Sequence, residues 1–183
     1  MSQLVPEVLA KQDELHSYLE GAFAGQRLER DANGESILWL KGSDLLGTLE
    51  CIRSDERLQM DRLSDLTVYD NVDGVDGAER FVAVYQLYSM KRHLRLRLKV
   101  LVAEDQDVPS VTGIWSAANW LEREAFDMFG VRFSGHPDLR RLLMDERFVG
   151  HPLRKEYGLE DRQPFPDSLP VRIAERRSEG QHS

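Results

Sequence analysis

Apolar positions draw the first outline of this chain. From Pro6 to Phe23, the residues Val8, Leu9, Leu15, Leu19, Ala22 and Phe23 recur at helical spacing, with Pro6 suited to a first turn and Gly25 just past the end. Asn33-Gly34 is a turn signal, and Ser36 to Leu40 follows as a short strand. Ser43 or Asp44 then caps a predicted helix that carries Leu45, Leu46, Leu49 and Ile52. Between Leu58 and Val102 the period falls to two, which predicts strands at Leu66–Tyr69, Phe81–Tyr88 and Leu94–Val102. The turn-rich Asn71 to Gly77 and the Lys91-Arg92 pair separate them. In the last strand Leu94, Leu96, Leu98 and Val100 alternate with Arg95, Arg97 and Lys99, so one face is apolar and the other cationic. That cationic face reads either as the solvated side of an antiparallel sheet or as a docking surface for an acidic partner.

Asp107 to Ser110 breaks the strand pattern, and Ser116 is the expected N-cap of a helix from Ala117 to about Phe129, stopped by Gly130. Val131 to Phe133 and Leu139 to Met144 are expected as short extended segments. The fold expected is α+β: N-terminal helices packed on a mostly antiparallel sheet, then a charge-rich helix, short extended segments and an extended C-terminal tail. Residues 1–157 form the predicted domain. Residues 158–183 form the tail, where Pro164, Pro166 and Pro170 interrupt any packed element. Phe165, Leu169, Val171 and Ile173 would let that tail lie along another protein, or it is simply disordered.

Composition narrows the function. A chain of 183 residues with 41% hydrophobic content holds one real core and not two. Its net charge of −8 argues against nucleic acid as a partner, because phosphate binding needs a cationic surplus. No apolar run approaches the roughly 20 residues that cross a bilayer, and the chain reads as neither secreted nor membrane-spanning. Cys51 is the single cysteine, so no iron–sulfur cluster is expected on this chain alone. Neither GxGxxG nor GxxxxGK[ST] is present, which leaves no dinucleotide or triphosphate cradle.

Chemistry-bearing residues gather between Trp120 and Tyr157. The segment Trp120-Leu121-Glu122-Arg123-Glu124-Ala125-Phe126-Asp127-Met128-Phe129-Gly130 mixes three acids and one base with large apolar groups. Glu124 and Asp127, at i and i+3, face one side, where they could bind a metal, act as an acid–base pair, or clamp arginines. The supply of Arg132, Arg140, Arg141, Arg147, Arg154 and Lys155 just downstream favours the clamp. Gly135-His136-Pro137-Asp138-Leu139-Arg140-Arg141 is then echoed by Gly150-His151-Pro152-Leu153-Arg154-Lys155. Glycine permits a positive φ and proline holds the preceding histidine extended, so each unit is a rigid corner that projects cations. A zinc site at the two histidines would need further ligands, and Cys51 and His93 lie on distant segments. A small metalloenzyme using Glu124, Asp127, His136 and His151 is therefore the weakest reading.

Glu122-Arg123-Glu124, Asp127-Met128-Phe129, His136, Arg140 and Leu142-Leu143, followed by Gly150-His151-Pro152-Leu153-Arg154-Lys155-Glu156-Tyr157, resemble the 30-kilodalton subunit family of complex I. A weaker likeness runs from about Leu38 to Val111. The resemblance implies a non-redox structural subunit of the hydrophilic arm of a proton-translocating NADH:quinone oxidoreductase, with no activity of its own. It would dock the large quinone-site subunit, the D-type component of the bacterial complex, and other hydrophilic-arm subunits. FMN and Fe–S clusters would belong to those partners. Location would be peripheral, on the cytoplasmic side of the bacterial inner membrane, with membrane association only through the complex. An equivalent scaffold in a membrane-bound hydrogenase or a ferredoxin- or F420-linked dehydrogenase is the alternative.

Overall fold

A computed structural model describes residues 6–158 of the chain; the expected tail, from residue 159 on, lies outside the described residues. In chain order the elements are α1 (Pro6–Ala22), β1 (Leu28–Arg30), β2 (Ser36–Leu40), a 3₁₀ turn (Gly42–Asp44), α2 (Leu45–Ser54), β3 (Arg62–Asp70), β4 (Phe81–Ser89), β5 (Leu94–Val102), β6 (Val108–Pro109), α3 (Ala118–Phe129) and β7 (Phe133–Ser134). Five strands form one sheet in the order β1-β2-β5-β4-β3. All its pairings are antiparallel except β2 with β5. The α+β architecture agrees with the pattern of the sequence.

Strand register explains which side chains meet. Leu66 on β3, Tyr85 on β4, Leu98 on β5 and Leu38 on β2 lie in one cross-strand row, and Val68, Ala83, Val100 and Leu40 form the next. This face makes one core with Leu15 and Leu19 of α1, Leu45, Leu49 and Ile52 of α2, and Ala118, Ala125, Met128 and Phe129 of α3. Each fully buried aliphatic or aromatic side chain contributes about 1.5–3 kcal/mol by leaving water, so this cluster supplies the main drive to fold. Among the described residues the opposite face carries no helix and only a small cluster of Ile37, Trp39, Val82 and Val84. β4 is buried on both faces at Phe81–Tyr85, where Val82 and Val84 join the small cluster of the opposite face, whereas β5 keeps its strict alternation.

Several expectations need correcting. The cationic stripe on β5 is paired within the chain, which the alternation alone does not show, while Arg95 stays exposed. Arg95 meets Glu35 at 3.1 Å, Arg97 meets Asp31 at 3.2 Å, and Lys99 meets Asp76 at 3.4 Å. β1 carries no alternation long enough to be seen; its Leu28 is held by pairing with Leu38 of β2. β3 extends well before Leu66, past an irregularity between Leu63 and Asp65 that breaks the period. Ser116 does not cap α3. The residue preceding the helix is Ala117, already helical, and backbone turns such as Ala118 N–H to Trp115 C=O use the early donors. The break at Asp107–Ser110 contains β6, and the extended segment after α3 is Phe133–Ser134, which pairs with it in parallel. Leu139–Met144 is not a strand; it bends, for a reason found in α3.

Candidate functional site: a clasp around the charged helix

Helical phase sorts the residues of α3 into two sides. Ala118, Glu122, Ala125 and Phe129 share the side that faces the sheet, and Trp120, Arg123, Glu124 and Asp127 share the other. A helix at the surface would leave the second side wet. Here Arg123 and Asp127 are buried as well, because residues 136–157 fold across them.

Asp127, 0% exposed, shapes that segment. One carboxylate oxygen accepts the backbone N–H groups of Leu142, Leu143 and Met144 at 3.0, 2.7 and 2.8 Å, and the other accepts Arg141 Nη1 at 2.8 Å. Three consecutive amides that converge on one oxygen cannot also be a strand, which is why Leu139–Met144 bends. Burial by itself would raise the Asp127 pKa, but these four donors outweigh it and hold the carboxyl below the usual aspartate value. Arg123 grips the same bend from beneath, with Nε on the Arg140 carbonyl (3.2 Å) and Nη2 on that of Arg141 (3.1 Å).

Glu122, also 0% exposed, works on the sheet side. It accepts the Ser110 hydroxyl and the Val111 N–H, each at 2.7 Å, and so ties the turn after β6 to α3. Burial raises its pKa above the ordinary glutamate value, more than these two bonds lower it. A group whose folded pKa is raised adds stability at acid pH and loses it as pH rises through that value. The stability of the wild-type chain relative to Glu122→Gln is therefore expected to fall as pH climbs from acid toward neutral, read from unfolding midpoints of both proteins across that range. A flat difference would show that Glu122 is no more costly to ionise here than in water.

The two Gly-His-Pro corners close on opposite ends of α3. His136 Nε2–H donates to the Asn119 carbonyl at 3.1 Å while its Nδ1 accepts the Asp138 N–H at 3.0 Å. His151 Nδ1–H donates to the Asp127 carbonyl at 2.9 Å. The last four carbonyls of a helix have no partner within it. On α3 they are taken by Gly130 N–H (on Phe126, 2.8 Å), His151 (on Asp127), Leu153 N–H (on Met128, 3.1 Å) and Arg154 Nε (on Phe129, 2.7 Å). Arg154 also sets a cation where the helix dipole favours one. Gly130 has φ +78°, and a Cβ there would stand 2.6 Å from the His151 ring and 2.7 Å from Arg154 Nη2. Beyond the helix, Lys155 N–H reaches buried Asp70 at 2.8 Å, and Asp70 holds Arg80 with two bonds of 2.9 and 3.1 Å. Arg80 meets Glu156 at 2.7 Å, and Arg154 meets Glu104 at 3.0 Å.

The other sites expected from the sequence fall as follows. Glu124 is exposed and, among the described residues, makes no ion pair, so it does not share the arginine clamp with Asp127. The bend covers Arg123 and Asp127 on either side of it and leaves Glu124 exposed. Arg140 is exposed and pairs locally with Asp138 at 2.8 Å; Gly135, Pro137, Gly150 (φ +91°), Pro152 and Leu153 shape the corners. Among the described residues no three of His, Cys, Asp and Glu gather as a metal-binding set, and Asp127, His136 and His151 are already hydrogen-bonded, which speaks against the metalloenzyme reading. Ser110, Asp70, Arg80 and Glu104 also serve the clasp, and nothing in their local pattern marks them. Glu122 does carry a visible signal, since it shares the phase of Ala118, Ala125 and Phe129.

Fold and site together define an α+β protein built around a charge-rich helix clasped on both sides. The chain belongs to the family described as the respiratory-chain NADH dehydrogenase 30-kilodalton subunit, whose model matches residues 38–163. It is 43% identical over 173 residues to the C subunit of NADH-quinone oxidoreductase from Cupriavidus taiwanensis, covering 89% of this chain and 86% of that one. The corresponding C subunit from Burkholderia vietnamiensis is 44% identical over 154 residues, 81% of this chain and 77% of that one. Among solved structures, the trypsin-resistant fragment of Nqo5 aligns with a TM-score of 0.62 and 32% identity, over 68% of this chain and 98% of the fragment. A chain of the archaeal membrane-bound sulfane sulfur reductase shares the fold, with a TM-score of 0.68 at 18% identity, over 88% of this chain and 99% of that one.

Proposed function

We propose that this chain is a non-redox scaffold in the peripheral arm of a proton-translocating NADH:quinone oxidoreductase, docking the large quinone-site subunit on the cytoplasmic side of the bacterial inner membrane. In this reading FMN and the Fe–S clusters that carry electrons from NADH to quinone sit in partner subunits. The chain joins the membrane through the complex, and no helix among its described residues is long and apolar enough to cross one.

The observation that carries the reading is how the motif uses its side chains. Glu122, Arg123, Asp127, His136 and His151 all bind the chain's own backbone. Groups engaged in this way shape a surface and are not poised for proton transfer, which needs a donor or acceptor within reach of a substrate. Relatives named as one component of a multi-subunit oxidoreductase supply the setting. The archaeal sulfane sulfur reductase, a different respiratory membrane complex, shares only the fold and does not favour the hydrogenase or ferredoxin-linked alternative.

Isolated from membranes in mild detergent, the tagged chain is expected to bring the large quinone-site subunit and an NADH-binding flavoprotein with it. Purified alone, it is expected to oxidise no NADH. Recovery from membranes without those subunits, or NADH:quinone activity in the isolated chain, would overturn the proposal.

A further inference from the structure

The side of α3 that the bend covers does not end where the bend ends. Asp127 and Arg123 lie beneath residues 140–144, but Trp120 and Glu124, on the same side, stay uncovered. Trp120 is 60% exposed, and Leu143, whose N–H is bound to Asp127, is 63% exposed. The Arg123 guanidinium lies 5.1 Å from the Trp120 ring and is fixed by the two bend carbonyls, so the indole rests on a rigid support. Beside the ring runs a groove of about 630 Å³ lined by Ile114, Trp115, Leu121, Arg53 and Arg62. Glu124 stands on this rim with no partner among the described residues.

We infer that the Trp120–Glu124 rim is the seat of a partner-subunit segment that carries an arginine beside apolar side chains. The proposal rests on the scaffold function above and names the surface and the chemistry of what it holds. Exposed large aromatics on a rigid support are the usual energetic anchors of protein interfaces. The exposed Glu124 carboxylate, with no partner among the described residues, selects a cation at the rim. Arginine fits better than lysine, because its planar fork can bind Glu124 with two hydrogen bonds and stack on the Trp120 ring. The apolar neighbours of that arginine fill the groove beside Trp120.

The test uses the full chain in the complex isolated from membranes. The double variant Trp120→Ala/Glu124→Arg is expected to lower the yield of co-isolated partner by roughly tenfold or more. Its own unfolding midpoint should stay near that of the wild type, since both side chains are exposed. Val75→Ala, in the Asn71–Gly77 turn at the other end of β3 from Arg62, should leave the yield unchanged. A photo-cross-linking residue in place of Trp120 should join an arginine-bearing segment of a partner subunit. If the wild type brings its partners and the double variant brings them equally, or the cross-link joins a second copy of this chain, the rim is not the seat and the scaffold reading survives. If the wild type brings no partner, both fall.

Discussion

Asp127→Ala is expected to destabilise the chain by about 3–5 kcal/mol, because it removes the buried acceptor of three backbone amides and leaves Arg141 without its counter-charge. At about 2–4 °C per kcal/mol for a chain of this size, the unfolding midpoint should drop by roughly 10 °C. The pH dependence follows from the sign of the shift. A carboxyl whose folded pKa is lowered adds stability above its unfolded value, about 4, and loses it as pH falls through the folded value. The advantage of the wild type over Asp127→Asn should therefore be full at neutral pH and shrink below about pH 4. Equal midpoints for the two proteins at pH 7, by calorimetry or circular dichroism, would show that the bend does not depend on the carboxylate.

Gly130→Ala should act on the second corner more than on the core. Left-handed backbone costs a non-glycine residue about 1–2 kcal/mol, and the new methyl would also press on the His151 ring and Arg154. Together these suggest a loss of about 2–4 kcal/mol, with His151 and Arg154 pushed off the helix carbonyls. Trypsin should then cut at Arg154 in the variant while sparing the wild type, as mass spectrometry of limited digests would show. Gly135→Ala is the fitting control, since its φ of +80° brings the same strain but its Cβ would meet nothing within 4 Å. If both variants resist trypsin equally, the closeness of Gly130 to the second corner has no structural weight.

Much of the architecture is legible in the residue pattern. Leu94 to Val102 alternates strongly and Phe81 to Tyr85 is an apolar run rich in valine and aromatics, enough to define two neighbouring strands, and Gly130 marks the end of α3 because only glycine sits easily at a positive φ there. The two Gly-His-Pro units stand out as a pair of rigid corners. What each corner touches does not, because the hydrogen bonds from His136 to Asn119 and from His151 to Asp127 span 17 and 24 residues. Spacing also links Glu124 with Asp127. Helical phase does put them on one side, but it cannot tell that a later segment crosses only one of them.

By itself, then, the sequence determined the periodic elements, the glycine-stopped helix and the family, since each depends on residue type and local spacing. Tertiary structure alone decided that Asp127 organises a bend, that Glu122 ties the turn after β6, and that Asp70 and Arg80 hold the far end of the clasp at Lys155 and Glu156. The physical reason is that a carboxylate is one chemical group with many suitable donors. Which donors reach it depends on how distant segments pack, and burial then fixes whether its pKa rises, as for Glu122, or falls, as for Asp127.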